Sequence, residues 1–256
     1  MTLAGISLWL TAPFAGAEEE AIVTDRPDFV ESSDVVGRGH VQLEGGLSLE
    51  RNAQGAVDSR AWTTPFLLRV GLGDSWEARV ETDGYVAARS DAPGVSSSEH
   101  GNADLALGVK HNFRKADGSS PGMAVLLHVD LASGSRAYRG YGARPSLRAV
   151  AEWDLPGDTS LGVMPGLFFD RNEQHRFTSG IFAVTYGKQW TARSHSFVEV
   201  AGQQLAHSID GGSIVTYDAG WAYLLTRDGQ VDLAVSRGAN DNTPDWSYGA
   251  GLSWRF

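Results

Sequence analysis

Any chemistry in this chain would have to come from histidines, hydroxyls and carboxylates, because it contains no cysteine to serve as a thiolate, a zinc ligand or half of a disulfide. Seven histidines are scattered along it: His40, His100, His111, His128, His175, His195 and His207. None belongs to a Ser-His arrangement, and no His-x-x-x-His or comparable metal-ligand spacing occurs. A lipase-type site on a barrel would need Ser, His and a carboxylate or carboxamide together on the lipid face of neighbouring strands. The loop stretch "NDNTPD" offers Asp241 and Asp245 to a calcium ion, but it lacks a spaced ligand series and reads as a solvated acidic loop. No metal, cofactor or catalytic residue is therefore expected. What recurs instead is charge of both signs at alternate positions: Glu44, Arg69, Glu77, Arg79, Glu81, Asp104, Lys110, Asp130, Arg148, Glu152, Glu199, Asp218, Asp232 and Arg255. Such a set suits the polar lining of a passage for small solutes, or ion pairs that merely fill space.

The elements that carry these charges are read from period-two patterning, since side chains alternate faces along a strand. The last stretch, "DWSYGAGLSWRF", puts Trp246, Tyr248, Ala250, Leu252, Trp254 and Phe256 on one face and Ser247, Gly249, Gly251, Ser253 and Arg255 on the other. The same alternation starts at Val41 and hardly stops. "SWEARVETDGYV" sets Trp76, Ala78 and Val80 against Glu77, Arg79 and Glu81. "ADLALGVKHNF" sets Leu105, Leu107 and Val109 against Asp104, Gly108 and Lys110. "VDLAVS" sets Val231, Leu233 and Val235 against Asp232. Counted through the chain, the pattern gives about twelve strands.

The connections alternate between two classes. Short turns fall at 71–75, 155–158, 191–194 and 226–230, with "RKADGSSPG" long for its class. Longer, looser stretches lie between them: "RSDAPGVSSSEH", "SGSRAYRGYG", "HSIDGG" and "RGANDNTPD". Short turns on one rim, long loops on the other and an even strand number describe an up-and-down membrane barrel.

Composition alone does not separate a soluble barrel from a membrane one. No run of about 18 uncharged apolar residues follows the N-terminus, so no transmembrane helix is expected. The mean hydropathy of −0.21 looks soluble, but a membrane barrel hides its apolar residues singly among polar ones. The deciding feature is that the apolar face is nearly free of charge while the polar face mixes Gly and Ser with both signs. A charge at mid-bilayer costs roughly 2–4 kcal/mol on such a barrel, so lipid demands that separation. Trp and Tyr near segment ends fit interfacial girdles. The net charge of −10 argues against nucleic acid as a partner. The fold expected is all-β: a transmembrane up-and-down antiparallel β-barrel over 39–256, embedded in outer-membrane lipid. Its terminal aromatics, Trp254 and Phe256, resemble the signal read by the barrel-assembly machinery.

Ahead of the barrel, "MTLAGISLWLTAPFAGA" (1–17) is apolar and ends in a small-x-small pattern, as a secretory signal peptide does. It lacks the usual Lys or Arg at its start, which points to a translation start upstream; the alternative is a buried N-terminal strand or helix. Residues 18–38 are polar and aperiodic, and form a periplasmic or lumenal segment. Its "TDRPDF" carries Asp25, Arg26 and Asp28, and Pro27 denies it a helix. These charges are expected to pair inside the barrel; a disordered leader is the plainer alternative.

The stretches "IVTDRPDFVESSDVVGRGHVQLEGG", "LLRVGLGDSWEARV", "GNADLALGVKHNF" and the final forty residues resemble the outer-membrane transporter-like family named for the meta-pathway of phenol degradation. The middle, from Gly122 to Gln204, matches more by pattern than by motif. The resemblance implies an outer-membrane β-barrel that takes up small, often aromatic or hydrophobic, compounds; it implies no catalytic residues. Residue pattern and resemblance together lead to a passive outer-membrane channel for a small-molecule solute. A structural or adhesive barrel whose extracellular loops bind partners is the alternative, and a barrel-embedded hydrolase a third.

Overall fold

The computed structural model describes residues 20–205 and 212–256; the signal-peptide reading of 1–17 and His207 lie outside them. Among the described residues every regular element is a strand. In chain order these are β1 (Val41–Gln54), β2 (Val57–Thr63), β3 (Phe66–Gly71), β4 (Trp76–Thr82), β5 (Tyr85–Ala92), β6 (Val95–Asn102), β7 (Ala106–Arg114), β8 (Gly122–Asp130), β9 (Arg144–Leu155), β10 (Thr159–Arg171), β11 (Arg176–Thr191), β12 (Ser194–Gln203), β13 (Ile214–Thr226), β14 (Gly229–Gly238) and β15 (Trp246–Arg255).

All neighbours pair antiparallel, and β15 returns to β1 in register from Gln42↔Arg255 to Arg51↔Trp246, which closes the sheet. Closure leaves the wall without an edge, the condition for a sheet to sit in lipid. Fifteen segments make twelve wall strands because three strands are interrupted. β2 and β3 both pair with β1 and are one strand broken at Thr64-Pro65, where proline removes a ladder donor. β4 and β5 are likewise one strand broken at Asp83-Gly84, and β6 and β7 one broken at 103–105. Gly84 turns with a φ of 69°, and a side chain there would collide with the Thr64 carbonyl.

One expectation is corrected here. "RSDAPGVSSSEH" is not a loose loop: most of it belongs to the β5–β6 hairpin, which stands beyond the wall. The alternation that marks a strand is missing because β6 buries neither face, so backbone pairing and polar cross-strand contacts define it. Ser96 of β6 donates to Asp91 of β5, which also accepts from Arg89, and β5 is tied in turn to β2 by the Ser59 and Ser90 hydroxyls at 3.1 Å. Asp104, read as part of a strand, lies in the break between β6 and β7.

The two faces divide as the patterning requires. On β15, Leu252 is 51 % exposed while its neighbour Ser253 is fully buried, and on β14 Leu233 is 55 % exposed beside Asp232 at 2 %. Exposed apolar side chains thus form the outer surface, and the buried ones with charge form the inner. The interior also holds an apolar patch of Ala124, Leu126, Val150, Met164, Ile181, Ala183 and Ala201, packed around Val30.

Candidate transport lumen

Inside the wall, β3 and β4 place Arg69 directly opposite Arg79, and β4 and β7 place Glu77 opposite Lys110. Two arginines side by side repel each other, so the register is tenable only if carboxylates intervene. The wall supplies two. Glu77 accepts from Arg69 Nε at 3.0 Å and from Arg79 Nη1 at 3.2 Å, and Glu44 accepts from Arg69 Nη1 at 3.0 Å. Three buried cations stand against these two fully buried wall carboxylates, with Glu81 farther off at 3.8 Å from Arg79, and the N-terminal segment adds another carboxylate at the centre. The Asp25 carboxylate accepts from Arg79 Nη1 at 2.6 Å and from Lys110 Nζ at 3.0 Å, with Arg69 Nη1 at 3.6 Å. Burial by itself would raise the Asp25 pKa; Arg69, Lys110 and Arg79 overcome that and hold it well below the usual carboxylate range.

Residues 22–36 therefore run through the lumen without helix or strand, and their backbone polar groups are met by the wall. Glu44 accepts from the amides of Asp25 and Arg26, Glu199 from those of Phe29 and Val30 at 2.8 Å each, Glu152 from that of Ser33, and Glu77 from that of Val36 at 3.0 Å. In the other sense, Arg69 donates to the carbonyls of Val23 and Asp34, Lys110 to that of Ser32, Asn112 to that of Ser33, and Gln42 to that of Val23. Glu31 joins the network through Arg79 at 2.9 Å and Arg148; burial opposes its ionisation, but the two arginines bring its pKa down to about 2.

Arg26 reaches the opposite side. Gly46 and Gly251 are paired across the β1–β15 seam, and Asp232 pairs with Gly251 on the next strand. A side chain at either glycine would begin within 3 Å of the Arg26 guanidinium, so the two leave a bare strip on which that group lies flat. Across it, Arg26 Nη2 meets Asp232 at 3.1 Å. The Arg26–Pro27 peptide is cis.

Asp28 differs from its two neighbours in the motif. It makes no ion pair among the described residues. Burial, then the nearby Glu199, push its pKa well above the usual carboxylate range.

The remaining sequence candidates fall into three groups. Glu81 faces Arg79 and Arg148 in the lumen, and Asp130 lies on the inner wall near the long-loop rim. Asp104 organises the β8–β9 loop, accepting from the amides of Ser133, Gly134 and Gly140 and from Arg144. Asp218 accepts from Thr216, and Arg255 pairs with Asp228 at the short-turn rim, away from the central cluster. Trp254 and Phe256 face outward, and Phe256 continues the ladder to Val41. Asp245 ties the β14–β15 loop to the amide of Ala53. Sequence reading missed Glu31, Gln42, Asn112, Arg144 and Gln230 as lumenal partners. Their inward positions on alternating strands were the available signal for the last four, but Glu31 lies in an aperiodic stretch and carries none.

Two cavities flank the segment. One, of about 660 Å³, lies towards the long loops and is lined by Phe29, Glu81, Asp130, Arg148 and Phe168 among others. The second, of about 750 Å³, lies towards the short turns, with Glu152, Lys188, His195 and Gln230 in its wall. Arg26 and Asp28 line both, so the segment is the partition between them.

A closed twelve-stranded antiparallel barrel with an apolar exterior and an ionic interior defines the class of outer-membrane β-barrels. Within that class the chain belongs to the family described as "Putative MetA-pathway of phenol degradation", whose model matches residues 24–256. Among solved structures it is similar to the COG4313 outer membrane channel from Pseudomonas putida F1, at 11% identity and a TM-score of 0.65 over 88% of this chain and 98% of that one. The β domain of the Bordetella autotransporter BrkA is similar at 15% identity, with a TM-score of 0.57 over 85% of this chain and 99% of that one. The NanC porin is similar at 13% identity and a TM-score of 0.55, over 84% and 98% respectively. At these identities the likeness is one of fold. Comparison with curated proteins gave no significant match.

Proposed function

We propose that the protein is a passive outer-membrane channel for small molecules, aromatic or hydrophobic compounds among them, with residues 22–36 as a constriction inside it. The observation that carries this reading is the pair of lumenal cavities, one towards each rim, with Arg26 and Asp28 of the segment lining both. A barrel that only fills space would have no need of two cavities this large, since smaller barrels close their interiors with side chains. In this reading the long loops face the outside, the short turns face the periplasm, and Trp254 and Phe256 present the C-terminal strand to the barrel-assembly machinery. The aromatic preference is supported by the family to which the chain belongs and by Phe29 and Phe168, which pack against the apolar patch within the lumen.

Planar-bilayer recording tests the reading. The full protein should give discrete conductance steps, and deletion of Ile22 to Val36 should enlarge them while the barrel still migrates differently before and after boiling. Silence from both proteins, each folded by that criterion, would leave the adhesive or structural barrel as the better account.

A further inference from the structure

The cavity on the long-loop side is unevenly charged. Nine carboxylates and four guanidinium groups line it, with no lysine or histidine. The four cations are all engaged. Arg26 is held by Asp232, Arg79 by Asp25 and Glu31, Arg148 by Glu31 and Glu81, and Arg144 by Asp104 at 2.9 Å. The carboxylates are not. Asp83 and Asp130 make no ion pair among the described residues, and Asp170 must share Arg144 with Asp104, at 3.5 Å. Asp83 is exposed at the break between β4 and β5, and Asp130 ends β8, so both stand near the rim where a solute would enter.

We infer that this mouth selects solutes by charge: it admits neutral and cationic molecules and turns away carboxylates and other anions, with Asp83, Asp130 and Asp170 as the determinants. The inference rests on the channel reading above. An entering anion finds no free guanidinium or ammonium group in this lining, because every cation there already has a carboxylate. An entering cation meets Asp83 and Asp130, which no wall cation pairs, and Asp170, which has only a share of Arg144. At the spacing of a narrow lumen and at low salt, two or three such charges separate monovalent cations from anions by about tenfold. Phe29, Phe66 and Tyr138 also line the cavity and give an organic cation aromatic surface to meet, whereas the Phe168 ring is already taken by Arg148 at 5.3 Å.

Reversal potentials in planar bilayers decide it. Under a KCl gradient at low ionic strength the protein should pass K⁺ about tenfold more readily than Cl⁻, and benzyltrimethylammonium more readily than benzenesulfonate. Raising the salt to about 1 M, where the screening length is about 3 Å, should bring the ratio towards unity. The double variant Asp83→Asn/Asp130→Asn should do the same at low salt, and adding Asp170→Asn should lower the ratio further. Both aspartates lack side-chain ion pairs, so heat-modifiable migration should be retained. Conductance with no cation preference, or a preference that survives the double substitution, would overturn the charge filter and leave the channel intact. Silence from the folded protein and from its 22–36 deletion would overturn both.

Discussion

Asp25 is the point at which the lumenal segment can be released without damaging the wall. Its carboxylate meets Arg79, Lys110 and Arg69, and it also accepts from the Ser32 amide at 2.9 Å, closing a turn within the segment. Asp25→Asn keeps the shape and removes the charge. Breaking a buried ion pair by neutralising one partner costs about 3–5 kcal/mol, because the other charges stay buried with less compensation. If that cost falls on docking of the segment, the undocked fraction rises by roughly a hundred- to several-thousand-fold, at 1.4 kcal/mol per decade. The wall should persist, since Arg69 keeps Glu44 and Glu77, and Arg79 keeps Glu77 and Glu81, all of them wall residues. The assays are single-channel conductance and cleavage at Glu31 by a glutamate-specific protease, both on protein that is still heat-modifiable. Asp25→Asn should show larger steps and faster cleavage. Neutralising a facing cation as well, in Asp25→Asn/Lys110→Met, should recover part of the loss, a coupling that only a direct pair produces. Unchanged conductance and unchanged protease resistance in Asp25→Asn would refute the claim that this charge holds the segment.

Leu233→Arg should impair assembly by about 2–4 kcal/mol because it puts a charge on the lipid face, whereas Asp232→Asn next to it should leave heat-modifiable folding intact and loosen only Arg26; equal behaviour of the two on a gel would contradict the assignment of faces. Asp28→Asn should tighten docking at neutral pH, because it removes a buried carboxylate that has no cation partner. Burial and Glu199 raise the Asp28 pKa, so the docked state loses stability as pH rises from the ordinary carboxylate value towards the raised one, and the amide removes that loss. In the Asp28→Asn background, protection of Glu31 should decline as pH falls below the ordinary carboxylate range. The pKa values of Asp25 and Glu31 are lowered by docking, so their contribution is present above the ordinary value and lost as pH falls, for Glu31 between 4.5 and about 2. Protection that increases on acidification over that range would reverse the sign of this argument.

The amino-acid sequence by itself determined the wall. Alternation such as that of "WSYGAGLSWRF" assigns each residue to lipid or lumen, because a one-residue slip in register would turn every side chain to the wrong side. It also showed that both signs of charge face inward. Three things were beyond it. Strand β6 of the β5–β6 hairpin was illegible because neither of its faces is buried, so period two leaves no trace. The breaks at Thr64-Pro65, Asp83-Gly84 and 103–105 carry no signal of their own, and only the pairing shows that a single wall strand resumes beyond each of them. The partner of each charge was the third. Asp25 and Arg26 are adjacent in the chain, yet Asp25 joins the cations of β3, β4 and β7 while Arg26 crosses Gly46 and Gly251 to reach Asp232. Such contacts depend on how far round the barrel each strand lies, and closure of the sheet sets that distance. A strand's local pattern carries only which way a side chain points; tertiary structure decides what it meets.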